Sequence, residues 1–444
     1  MTGQEDGGYD QARAVWNGMM DRRPWAVVRA AGVGDVLPTI RFAREHELDL
    51  AVRGGGHNVA GNSTVDDGLV LDLVDLHAVS VDPAAGTVRV EAGASLAHVD
   101  AATEPHGLVV PIGVVSSTGI AGLTLGGGVG WLTRPYGLTA DNLVSVELVT
   151  ADGRQLTASE TEHADLFWAL HGGGGNFGVV TAFTFHAHRH GPQLFAGNFV
   201  YRQDRWRQAW AAVEEWTRDL PDAMTTITTT LTPPPAAELG DEPLLLIGFA
   251  WASADRAAGE SLVARLRELA PPDEEELGDM RWVEWQSVFD FMFPKGVRAY
   301  WRNTSFDRLD DEVIDVLVRR GAEQTWTGTG FDVHHLGGAF GRVPEEATPF
   351  PNRAARFWLN IYGFWSDPAD DDARIAFVRG MSADMEPFAT GGQYVNFQGR
   401  EPAGHRGFDP RTAFGPTKYQ RLVDVKRRYD PENVFHVNHN IPPE

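Results

Sequence analysis

Three glycine-rich stretches crowd the first half of this chain: RGGGHNVAGNS from Arg53, GVVSSTGIAGLTLGGGVG from Gly113 to Gly130, and LHGGGGNFGVV from Leu170. Glycine lets the backbone come close to a ligand and turn successive N–H groups toward one anion. One such stretch marks a turn; three together suit an extended phosphate-bearing ligand. The formal net charge of −23 sharpens that reading. An acidic surface repels nucleic acid and anionic membranes, so a bound phosphate has to be held by local backbone groups. With 0 cysteines there is no disulfide, thiol nucleophile or Cys-based metal site, and no metal is expected. The first residues lack a signal-peptide pattern and no apolar run is long enough to span a bilayer, so a cytoplasmic protein is expected.

At 444 residues the chain exceeds one ordinary core. From Trp25 the pattern runs apolar strand, amphipathic helix (VLPTIRFAREHE), apolar strand and glycine turn, a βαβ unit with its ligand-binding turn at a strand end. Short strands follow at LVLDL, HAVSVD and GTVRVEAG, then a helix near LAHVDAATEPHG. Beyond His190 aromatic-rich helices alternate with strands TITTTLTP, PLLLIGFAWA, FDVHHLGGAF and RFWLNIYGFW, which reads as an antiparallel sheet backed by helices. LTPPPAAELGDEP, LAPPDEEELGD and DPADDDAR read as solvated loops. The tail from Tyr394 ends in a helix, KYQRLVDVKRRYD. The expected division is 1–190, 191–393 and a C-terminal segment, 394–444, that returns to the first part.

Within the first glycine stretch, His57 either satisfies a turn hydrogen bond or serves as a nucleophile, since a neutral imidazole attacks electrophilic carbon. RGGGHNVAGNS resembles the phosphate loop and attachment motif of the FAD-linked oxidases of the vanillyl-alcohol-oxidase and berberine-bridge-enzyme-like superfamily. The likeness continues, in the family's order, through SSTGIAGLTLGGGVGWLTRPYGLTADNLVSVELVTADG, LFWALHGGGGNFGVVTAF, HHLGGAFGRVPEEATPFPNRAARFWLNIYGFW, YVNF and KYQRLVDVKRRYDPENVFHVNHNIPP. The GGGVG-WLTRPYGL-DN stretch is more similar to 6-hydroxy-D-nicotine oxidase-like enzymes than to plant members.

The resemblance implies an α+β fold: a two-part FAD-binding domain closed by a substrate domain whose antiparallel sheet roofs the flavin. It implies FAD bound covalently through His57 at the flavin 8α carbon. Many relatives add a cysteine bond, but Val115 stands at that place here, leaving one link. Residues carried into the FAD site are Arg53, Gly54, Gly55, Gly56, His57, Asn58 and Gly61 from the first stretch. The second stretch adds Gly113, Val115, Ser117, Thr118, Gly119, Gly122, Gly126, Gly127, Gly128 and Gly130, with Trp131, Asp141 and Asn142 after it. The third adds Gly175, Asn176, Gly178, Val179 and Val180, and the tail adds Tyr394 and Asn396. A small branched residue matching Thr118 admits oxygen in this family, so an oxidase is favoured.

Plant relatives carry a glutamate base on the strand similar to ARFWLNIYGFW, and Asn360 takes its place here; an amide takes no proton. Other polar candidates are Tyr394, Asn396, His334, His335 and Tyr362. Period-2 alternation puts Trp358, Asn360 and Tyr362 on one strand face and Leu359 and Ile361 on the other. The expected reaction is hydride transfer to flavin N5 from a carbon bearing an amine or hydroxyl of a small molecule, with oxygen reduced to peroxide. Alternatives are a sugar or oligosaccharide oxidase, with Trp282, Trp285, Trp301, Trp326 and Trp358 stacking on sugars; a tailoring oxidase of a polycyclic metabolite; and a flavin or small-molecule binder without turnover. Monomer and homodimer both remain open.

Overall fold

The computed structural model describes all residues except 192, 234–239, 329 and 402–407. Part of the loop expected at LTPPPAAELGDEP lies outside the described residues.

The first glycine turn follows a strand of a four-stranded sheet, ordered Thr2–Gly3, Ala26–Arg29, Leu69–Asp72, Leu50–Arg53. The strands flanking the Val36–Glu45 helix are both parallel to Leu69–Asp72, which lies between them rather than letting them pair. A five-stranded sheet follows, ordered Val79–Asp82, Thr87–Glu91, Val179–His186, Leu143–Val149, Gln155–Ser159, with every pairing antiparallel. One apolar core joins residues of 26–185 to Val395, Phe414, Leu422, Tyr429 and Ile441 of the tail.

The tail is locked by charge as well as by apolar contact. Lys426 and Asp430 on the helix Pro416–Tyr429 and its end are both fully buried and 2.6 Å apart. The Lys426 ammonium also donates to the carbonyls of Asn176 and Phe435, so the buried cation has a full set of acceptors.

A seven-stranded antiparallel sheet carries the rest, ordered Glu274–Arg281, Gln193–Tyr201, Leu244–Trp251, Met224–Leu231, Gly330–His335, Phe357–Trp365, Arg298–Phe306. Helices Trp206–Trp216, Arg256–Leu269, Asp311–Glu323 and Asp371–Met385 pack on one face, where Leu359 and Ile361 lie buried among them. Trp358, Asn360 and Tyr362 face the other way, as the strand alternation requires.

Two expected loops are instead ordered elements. The acidic run read as a loop forms the edge strand Glu274–Arg281, whose carboxylates stay in solvent and discourage further pairing. DPADDDAR starts the helix Asp371–Met385, where Asp371 and Asp372 occupy the first turn and suit its positive end. Among the described residues no helix is long and apolar enough to cross a membrane.

Candidate functional site

A cavity of about 260 Å³ runs between the glycine turns and the sheet's inward face. It is lined by Gly54, Gly55, Gly56, His57, Asn58, Gly113, Val115, Thr118, Gly119, Gly122, Gly175, Asn176, Gly178 and Val180. It also meets Phe293, Trp301, Tyr362, Tyr394, Asn396 and Phe397. The tail closes it with Phe435, Val437, Asn438 and His439.

The turns come together because they lack side chains. A Cβ on Gly55 would stand 2.5 Å from the backbone of Gly119, so the first two stretches touch only as glycines. At Gly122 and Gly175 a Cβ would meet no described atom within 4 Å, since both face the open channel that it would fill.

His57 borders this channel, with its Nε2 buried and without a hydrogen-bond partner among the described residues. Burial pulls the imidazole down to about 4, so it is neutral at neutral pH and keeps a nucleophilic nitrogen. Its ring stacks on Trp16, centroids 4.4 Å apart and planes within 17°. A glycine-rich channel for a phosphate-bearing chain and an orphaned neutral imidazole beside it fit FAD.

Other expected residues serve this cavity from outside it. Arg53 points into the protein, donating to the carbonyls of Ala12, Arg13 and Ser63 and standing 3.6 Å from Asp72. Gly61 turns against Met20, and Ser117 is exposed beside the lining rather than in it. Gly126 packs on Asn396, Gly127 on Phe350 and Gly130 on the carbonyl of Ile112. The N–H of Gly128 donates to the Tyr394 hydroxyl, which also accepts from Asn396 Nδ2. Trp131 is buried against Trp285 and Tyr136 stacks on His188, both away from the lining. Asp141 pairs with Arg353 at 2.7 Å, Asn142 donates to the carbonyls of Tyr136 and Leu138, and Val179 belongs to the sheet behind the turn.

The sheet brings the polar candidates into one cluster around a residue that the sequence reading did not single out, Asp332. Its carboxylate accepts from Asn360 Nδ2 at 2.8 Å and from the Tyr362 hydroxyl at 2.9 Å. His334 Nε2 lies 3.2 Å from the same carboxylate, outside hydrogen-bond geometry. Only Tyr362 of these four lines the cavity; Asn360, His334 and Asp332 stand behind it. Burial, then the neighbouring Asp332, raise the Tyr362 phenol well above its usual value, and burial pushes Tyr394 up to about 12. His335 packs against Phe357 on the helix side. Of the five tryptophans weighed as a sugar platform, Trp301 alone lines the cavity. Phe293, Phe397 and His439 were likewise not anticipated; they stand in stretches whose approach depends on tertiary folding.

Comparison with known proteins defines the class. The FAD binding domain signature matches residues 24–159, and the berberine and berberine-like signature matches residues 393–442. The uncharacterized FAD-linked oxidoreductase YgaK of Bacillus subtilis is 29% identical, over 99% of this chain and 96% of its own. The (R)-6-hydroxynicotine oxidase of Paenarthrobacter nicotinovorans is 28% identical over the same shares. The solved glucooligosaccharide oxidase of Acremonium strictum, with its 6-S-cysteinyl, 8α-N1-histidyl FAD, is 20% identical with a TM-score of 0.85, over 99% of this chain and 96% of that one. The chain is therefore an FAD-linked oxidoreductase. It is similar to the berberine-bridge-enzyme-like FAD-linked oxidoreductases, with which it shares both signatures.

Proposed function

We propose that this protein is an oxidase whose FAD is bonded to His57 and whose substrate is a small organic molecule with a flat, largely apolar part. One observation carries the reading: His57, neutral and without a partner at Nε2, borders the channel where the glycine turns give way to aromatic walls. When bound there, FAD supplies two-electron chemistry, taking hydride from a carbon bearing an amine or hydroxyl and passing the electrons to oxygen as peroxide. Gly54–Gly56, Gly119, Gly122 and Gly175 would hold the cofactor's phosphate-bearing chain, and Val115, at the place of the relatives' cysteine, offers no second bond of that kind.

Phe293, Trp301 and Phe397 set a dry aromatic boundary on the substrate side, favouring an aromatic or polycyclic ring system over a hydroxyl-rich sugar. Tyr362 lines that space, and its hydroxyl donates to Asp332 behind it. A proton leaving the substrate's hydroxyl or amine can move to the Tyr362 oxygen while the phenol's own proton moves to Asp332 Oδ2. The phenol then ends as it began and the carboxylate ends protonated. Asn360 steadies the acceptor by donating to Oδ1. Tyr394 has its hydroxyl engaged by Gly128 and Asn396, so its role in this reading is to brace the second glycine turn.

The domain division at 190 and 394 and the assignment of site residues belong to the same proposal. Its test is acid precipitation of the purified protein, intact-mass measurement, and a screen for peroxide release across aromatic amines, alcohols, phenolic metabolites and oligosaccharides. Flavin carried with the polypeptide, and turnover of an aromatic amine or alcohol, is the expected result. Flavin released wholly to the supernatant would remove the His57 bond from the reading.

A further inference from the structure

Residues 16–18 form a strap between the turn that carries His57 and the segment that supplies the aromatic wall. The Trp16 amide donates to the carbonyl of Gly56 at 3.0 Å, and its carbonyl accepts from Gly296 at 2.8 Å. Its indole N–H donates to the carbonyl of Phe293 at 3.1 Å. Asn17 donates to the carbonyls of Val59 and Ala299 and accepts from the Ala299 amide, while Gly18 donates to Val297. The strap is thus pinned on both sides, and Trp16 itself is 4% exposed.

The stacked pair is the consequence. His57 follows a run of three glycines, of which Gly56 has φ +68°, and its imidazole hydrogen-bonds to its own backbone rather than to a neighbouring element. With Nε2 unpartnered among the described residues, no hydrogen bond at that atom sets the ring plane either. The parallel indole at 4.4 Å does set it, and also shields the ring from water. Trp16 is itself packed against Trp301, tilted at 58°, and edge-on against Phe364, so its plane is set in part by the substrate-side wall.

We propose that Trp16 is a positioning residue for flavin attachment, holding the His57 imidazole in the plane from which it bonds to the flavin. The inference rests on the His57 attachment proposed above. In that step a bond forms between an imidazole nitrogen and the flavin 8α carbon. One hydrogen leaves the methyl group and one leaves the imidazole, both reaching the flavin with the two electrons as its two-electron reduced form. Oxygen then takes both electrons and both hydrogens as peroxide. Fixing the attacking ring raises the rate of such an intramolecular step without changing cofactor affinity.

The test uses the full chain produced in riboflavin-depleted cells and mixed with saturating FAD. Noncovalent binding is followed by flavin fluorescence and the adduct by intact mass. Trp16→Leu binds FAD as the wild type does but forms the adduct about tenfold or more slowly, while Trp16→Phe, which keeps a flat ring, restores the rate to within about threefold. An unchanged adduct rate in Trp16→Leu overturns the inference and leaves the His57 attachment standing. Trp16→Phe as slow as Trp16→Leu also overturns it, assigning the effect to the lost bond with Phe293. Wild-type protein that never gains mass overturns the attachment and the inference together. Should Trp16→Leu fail to fold, Trp16→Met, an unstacked side chain of similar reach, takes its place in the comparison.

Discussion

The hydroxyl of Tyr362 donates to the carboxylate of Asp332 across 2.9 Å, joining a residue that lines the cavity to an acid that does not reach it. Because the phenol is held well above its usual value, it keeps its proton at neutral pH and serves as a relay rather than a free base. Asp332→Asn preserves the shape but removes the proton acceptor. Its kcat/KM for the substrate found by the peroxide screen should fall by about 10²–10⁴-fold. Flavin content and intact mass should stay those of the wild type. A variant with full turnover would remove Asp332 from the reaction.

Gly122 offers a separate test of the cradle. Its Cβ position is free of described atoms within 4 Å and faces the channel, so Gly122→Ala should fold normally. The added methyl takes space that the cofactor needs. FAD affinity should weaken about tenfold or more, corresponding to about 1.4 kcal/mol, with the melting temperature of the flavin-free protein unchanged. Gly55→Ala should behave differently, since its methyl would be forced against Gly119 and lower the stability of the flavin-free protein itself.

Much of this site was legible because glycine runs and a histidine among them are local signals. The alternation through Trp358, Asn360 and Tyr362 likewise predicted which residues share the strand face turned away from the helices. Asp332 was not legible: it is one acid in an apolar strand, and its meeting with Asn360 depends on the register between Gly330–His335 and Phe357–Trp365. Adjacency to the glycine turn misled at Arg53, whose side chain turns into the protein toward Ala12 and Asp72. The strand Glu274–Arg281 was read as a loop because its acidic composition carries no strand signal. Pairing with Gln193–Tyr201 decides its conformation.

Asp100 should make stability depend on pH. It is 4% exposed, accepts from Trp282 Nε1 at 2.9 Å, and is raised to about 7, chiefly by burial. A carboxyl with a raised folded value binds its proton more tightly in the native state. Its contribution is therefore fully present below the unfolded value of 3.8 and is lost as pH rises through about 7. Asp100→Asn, whose amide oxygen can still accept from Trp282, should be more stable than the wild type at pH 8 by about 2–4 kcal/mol, with the advantage gone near pH 4. Denaturant midpoints at the two pH values measure this, and equal midpoints at pH 8 would contradict it.

The buried pair Lys426 and Asp430 should show the opposite asymmetry, in which removing one partner is worse than removing both. Each is 0% exposed, and Asp430 also accepts from the backbone N–H groups of Val434 and Phe435, which shape the turn leading to the cavity-lining residues. Asp430→Asn keeps most of that turn but leaves the ammonium without a counter-charge in a site where burial already lowers it from its usual value. The expected loss is about 3–5 kcal/mol, and FAD binding should weaken with it because Phe435, Val437 and His439 close the cavity. Lys426→Met combined with Asp430→Asn removes the charge problem and should recover part of that loss. A double variant no more stable than Asp430→Asn alone would mean that the backbone bonds, rather than the ion pair, hold the tail in place.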